Sequence, residues 1–164
     1  MTSGRFWFPT FALMPVGALL LVLPGCGGSS RGCTDCPPIE GRYALALEPG
    51  TTPSGCDGVT VELPRGPLEV SRQGSDVTAV LDGVTLRGTL YATYDFSLVG
   101  GPAEQTDGGT GGPESTSLSG RYIPAVGDGG VPWLTGDWQG NFASSSAGGI
   151  RRCSVTRSFT ATRQ

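Results

Sequence analysis

The sequence predicts an all-β domain, a small antiparallel up-and-down barrel of about eight strands, and three observations predict it. Apolar and polar residues alternate with period two over one segment after another, the pattern of strands with one buried and one wet face. No segment shows a 3.6-residue apolar period. The 164 residues include 28 Gly and 13 Pro, a share that belongs either to disorder or to a turn-rich β fold. A β-sandwich is the alternative architecture.

The candidate strands, in order, are 41–48, 57–63, 67–73, 76–82, 84–92, 94–99, 118–123, 132–142 and 150–162. In the first, Tyr43, Leu45 and Leu47 share a face; in the second, Val59, Val61 and Leu63 do. Asp82-Gly83 separates two alternating runs and is a type I′ hairpin turn by composition. In the last two strands Leu134, Trp138 and Phe142 face inward, as do Cys153, Val155, Phe159 and Ala161. Two stretches carry no such pattern. Residues 26–38 are rich in Gly, Ser, Cys and Pro and read as a flexible tether. Residues 100–117 read as a disordered loop. The barrel domain is then 39–164.

One local pattern recurs within the strands: apolar-x-Gly-x-large apolar. Its copies place Gly41 before Tyr43, Gly88 before Leu90, Gly120 before Tyr122 and Gly136 before Trp138. Alternation puts each glycine on the buried face. A bare inward position lets a strand bend sharply or lets a ring lie over the backbone, a device that closes barrels. Chance accumulation in a Gly-rich chain is the competing explanation.

Composition excludes much chemistry. The chain has no His, and all 11 basic residues are Arg. There is therefore no imidazole base, no Ser-His-Asp or Cys-His pair, and no Walker A or Schiff-base lysine. A net charge of −3 spread along the chain offers no concentrated basic face for nucleic acid. The acids Asp57, Glu62, Asp76, Asp82, Asp95 and Asp137 are scattered and mark no catalytic pair. No enzyme, no metal and no cofactor is expected.

The N-terminus has a basic residue, Arg5, an apolar run from Phe6 to Leu23, and then Leu23-Pro24-Gly25-Cys26. This is the layout of a secretory signal peptide. Pro9, Pro15 and Gly17 interrupt the run as a spanning helix. Leu23, Gly25 and Cys26 resemble the lipobox of bacterial lipoproteins, with Pro24 where that family has a small or branched residue. The resemblance implies removal of residues 1–25 and attachment of diacylglycerol and a further fatty acid such as palmitate to Cys26. Two or three acyl chains hold a protein durably on a membrane. Gly27 follows, where an Asp would favour the inner membrane in that family, so the resemblance implies the outer membrane, facing periplasm or cell surface. An uncleaved anchor with an incidental cysteine is the competing reading.

With Cys26 acylated, four cysteines remain for an oxidising compartment. Cys56–Cys153 is the favoured pair, because it ties the second candidate strand to the last, as closure requires. Cys33-Thr34-Asp35-Cys36 is the second. It reads as a local disulfide, since it lacks the helix N-terminus of a redox CxxC and the second ligand pair of a zinc site.

Gly41-Arg42-Tyr43 is similar to the Gly-x-Trp that opens the first strand of lipocalins, with Tyr in place of Trp. In that family a late Arg packs across the ring, a role the resemblance offers to Arg157 or Arg163. The aromatics Trp133, Trp138, Tyr43, Tyr122, Phe142 and Phe159 would fill the barrel or line a cavity in it. The expected function is a lipid-anchored envelope protein with a non-catalytic binding or structural domain. A carrier of a small apolar ligand is the first alternative, and a carboxylate-dependent hydrolase is the second.

Overall fold

The computed structural model describes residues 32–101, 113–127, 129–146 and 148–164. The leader, Cys26 and the middle of the Gly-rich stretch (102–112) lie outside them. Eight antiparallel strands form one closed barrel, each pairing with the next and the last with the first. They are β1 (Gly41–Leu47), β2 (Leu68–Gln73), β3 (Asp76–Leu81), β4 (Val84–Leu90), β5 (Asp95–Gly100), β6 (Ser115–Ile123), β7 (Trp133–Ser146) and β8 (Gly149–Arg163). Closure runs through β1 against β8, from Tyr43↔Arg163 to Leu47↔Phe159. The sandwich alternative is excluded.

Alternation sorts the walls as the period-two pattern requires. Tyr43, Leu68, Leu86, Leu118, Val155 and Phe159 point inward and are buried, while their chain neighbours are outside. The β3–β4 turn is Asp82-Gly83, both with positive φ (47° and 79°), which the primed hairpin turn demands. Three of the four patterned glycines admit the backbone of a neighbouring strand. A Cβ on Gly88 would overlap the Ser97 carbonyl oxygen; on Gly120, that of Thr135; on Gly136, that of Ser119. Gly120 and Gly136 face each other across β6 and β7. Gly41 differs: its Cβ would meet Arg163 Nε at 2.7 Å.

Three expectations need correction. Residues 57–63 form no strand. A barrel whose every strand already has two neighbours leaves no edge for a ninth. The segment instead crosses one end of the barrel after a 3-10 turn at Ser54–Cys56, with Val59 buried and Leu63 exposed. Its alternation comes from a strap with one face turned inward. Second, the tether assigned to 26–38 is docked from residue 32 onward. Gly32 bridges Tyr91, the Cys33 N–H donates to Leu90 O at 3.0 Å, and Ile39 is buried. Third, the loop assigned to 100–117 is narrower at both ends, because Gly100 belongs to β5 and residues 115–117 to β6.

The two ends of the barrel are built differently. The β2–β3, β4–β5 and β6–β7 connections, the docked segment 32–39 and the C-terminus of β8 gather at one end. The β1–β2 strap and the β3–β4, β5–β6 and β7–β8 connections gather at the other, the mouth. Beyond Asn141 and before Ser154, β7 and β8 pair only with each other, so this hairpin projects past the mouth.

Candidate functional site

The mouth is held by its strap. Arg157 lies on the inward side of β8 and its guanidinium donates to Gly50 O (3.1 Å) and Thr51 O (2.7 Å). Farther up the hairpin Arg151 Nη1 donates to Asp57 O at 3.2 Å, and the Cys56–Cys153 disulfide, Cα–Cα 5.1 Å, fastens the strap beside it. At its far end the Arg65 N–H donates to Asp82 Oδ2 at 2.7 Å. Arg157 and Arg151 are used here as clamps on strap carbonyls. Next to Arg151, Arg152 Nε pairs with Glu114 at 3.3 Å.

Beneath the strap lies a cavity of about 780 Å³ lined by Val61, Leu63, Leu81, Val84, Thr116 and Trp138, with Glu62, Arg65 and Asp82 on its rim. That volume is in the range that takes small-molecule ligands, and the mixture of apolar walls with few polar groups is the usual one. Two of those polar groups stand out. Thr116 Oγ1 and Trp138 Nε1 are buried and have no hydrogen-bond partner among the described residues. Arg72 and Arg157 also leave Nε unpaired, but their terminal nitrogens are bonded. Thr116 and Trp138 have no second polar side-chain atom to compensate. A buried polar atom without a protein partner costs about 1–3 kcal/mol, and both residues line the cavity.

The Trp138 indole is held by a glycine outside the recurring pattern. A Cβ on Gly140 would come within 2.5 Å of the Trp138 ring and 2.9 Å of Phe142. The ring therefore lies back along its own strand over Gly140, with Phe142 at 6.3 Å between centroids. Of the six candidate aromatics only Trp138 reaches the cavity. Tyr43, Tyr122, Phe142 and Phe159 fill the core, and Trp133 is on the outer face at the opposite end. Among the acids the structure brings Glu62 and Asp82 to the rim and leaves Asp57, Asp76, Asp95 and Asp137 away from it.

The closed end shows the contrasting chemistry. The buried Tyr43 hydroxyl donates to Ile39 O at 2.6 Å, and burial pushes its pKa up to about 12 against the opposing pull of Arg163. Burial also raises Tyr122. Arg163 is thus the late arginine beside Gly41 and Tyr43, while Arg157 serves the strap. Outside, the Arg121 guanidinium and the Thr93 hydroxyl bonded to Asp95 lower that carboxyl. The Cys33–Cys36 disulfide, Cα–Cα 5.1 Å, closes the docked segment into a tight loop. No group of three or more His, Cys, Asp or Glu side chains suited to a metal occurs among the described residues. No family model, no curated protein and no solved structure matches this chain.

Proposed function

We propose that this protein is a lipid-anchored envelope protein whose barrel binds a small, largely apolar molecule at its mouth. The observation that carries the reading is the strapped cavity with two unpartnered buried polar atoms, Thr116 Oγ1 and Trp138 Nε1. An indole N–H only donates and a hydroxyl does either, so the ligand bears a hydrogen-bond acceptor such as a carbonyl or ether oxygen. The rim mixes Glu62 and Asp82 with Arg65, which favours an uncharged acceptor over an ionised one. Anchoring rests on the Leu23-Pro24-Gly25-Cys26 motif.

Two experiments test the two halves. Protein extracted from its own membranes is subjected to native mass spectrometry, and Nile red, a neutral apolar probe with a ring carbonyl, is titrated into it. The reading expects a co-purifying mass that the probe displaces; a bare mass together with no probe binding would overturn the ligand reading. Tritiated palmitate labels the chain and is lost in Cys26→Ser. An unlabelled wild-type chain would end the anchor reading and leave the cavity untouched.

A further inference from the structure

Large apolar side chains are exposed toward both ends of the barrel, with Leu63, Val80, Val99 and Ile150 toward the mouth, but among the described residues the two exposed aromatics, Tyr94 and Trp133, both stand at the opposite end. Val126 (87% exposed) and Val131 (52%) lie in the β6–β7 connection, Trp133 (36%) opens β7, and Tyr94 (41%) sits in the β4–β5 turn. Tyr94 is held there with a positive φ of 68°, its ring edge-on to Tyr122 at 6.5 Å. Exposed apolar residues on a surface need no occupant by themselves, so they do not choose between the two ends. The docked segment supplies the direction. Gly32 enters the barrel at this same pole, bridged to Tyr91. Six peptide steps separate it from Cys26, and six steps reach at most about 20 Å.

We propose that this pole rests on the bilayer that holds the acylated Cys26, with Trp133 and Tyr94 at the headgroup level and Val126 and Val131 below them. The proposal rests on the lipid-anchor reading above. Trp and Tyr suit that depth because each has an apolar body and one polar atom for the wet layer. The short tether holds the pole near the surface once the acyl chains insert. The mouth, at the far pole, then faces away from the anchoring membrane, so ligand exchanges with the aqueous phase and not directly with that bilayer.

The test uses the full chain, acylated in cells and reconstituted into vesicles of phosphatidylethanolamine and phosphatidylglycerol, with and without bromine on the upper acyl methylenes. Bromine is expected to quench wild-type tryptophan emission, and Trp133→Phe to remove the quenchable component. Val126→Asp/Val131→Asp alters only exposed positions; this chain is expected to stay on the vesicles through its lipid yet lose the quenching. Vesicle-bound wild type with unquenched Trp133 would overturn the surface proposal, leave the anchor standing and assign the pole to a protein partner. A chain lacking acyl groups and remaining in the supernatant would overturn the anchor reading and this proposal with it.

Discussion

The two ends of this barrel are closed by the same means, a stretch of irregular chain fixed by a disulfide, and they come out differently. At the closed end, segment 32–39 sinks Ile39 into the core and its carbonyl takes the Tyr43 hydroxyl at 2.6 Å. At the mouth, the strap stands over a cavity of about 780 Å³ and leaves Thr116 and Trp138 without partners. The closed end is what a chain does for stability. The mouth leaves two buried polar atoms without a partner among the described residues, a cost of about 1–3 kcal/mol each that the proposed ligand would offset.

The largest effect that would break this comparison is on the disulfides. In the chain-entropy model, losing Cys56–Cys153, 97 residues apart, removes about 4–5 kcal/mol, and losing Cys33–Cys36, three apart, about 2 kcal/mol. Urea unfolding of the two double Cys→Ala variants measures both; equal losses would mean the strap is not what holds the mouth. Next come the inward glycines. Gly120→Ala drives a methyl into the Thr135 backbone and is expected to cost about 3 kcal/mol, because a backbone carbonyl cannot rotate away. Gly140→Ala meets only side chains and is expected to cost about 1–2 kcal/mol while moving the Trp138 emission.

At the closed end Tyr43→Phe removes one buried hydrogen bond and is expected to cost about 1 kcal/mol at neutral pH. Its pH signature is sharper. The folded Tyr43 keeps its proton up to about 12, whereas the unfolded one loses it near 10.0. The native state therefore binds more protons in that window, and wild-type stability falls by about 1.4 kcal/mol per pH unit as pH rises through it. Tyr43→Phe flattens that slope, as denaturation at pH 9 to 12 would record. The smallest effect is at the mouth and has the opposite sign. Thr116→Val deletes an unpartnered hydroxyl at constant shape and is expected to stabilise the apo protein by about 1 kcal/mol while weakening probe binding. A destabilised Thr116→Val would mean that the hydroxyl is engaged without ligand.

The barrel was legible because each strand has one wet face, so the buried set Val84, Leu86 and Leu90 or Val155, Phe159 and Ala161 shows at period two. The inward glycines were legible for the same reason, whereas the Cys56–Cys153 link was expected from a strand at 57–63 that the barrel lacks and instead fastens the strap to β8. The strap was not. Val59, Val61 and Leu63 alternate like a strand, and what denies them a partner is closure, a property of the whole sheet. The docked segment was equally hidden, since Gly32 to Pro38 has no periodicity and is held by one bridge, one disulfide and the burial of Ile39. Of the site, Trp138 was a candidate, but Thr116 was not. Thr116 falls in the stretch 100–117, which has no apolar periodicity and reads as a loop; β6 begins at Ser115 and turns Thr116 inward between Ser115 and Ser117. Gly140 gave a readable signal that lay outside the recurring pattern: a glycine midway between Trp138 and Phe142 on the inward face.

The most direct test of ligand binding at the mouth follows the two indoles. In proton–nitrogen correlation spectra of the full chain, Nile red is added and the Nε1–H signals of Trp138 and Trp133 are tracked. They stand at opposite poles of the barrel, one buried and one exposed. The account predicts that the Trp138 signal moves in a saturable way and the Trp133 signal does not. A stationary Trp138 signal, or a shift confined to Trp133, would contradict it.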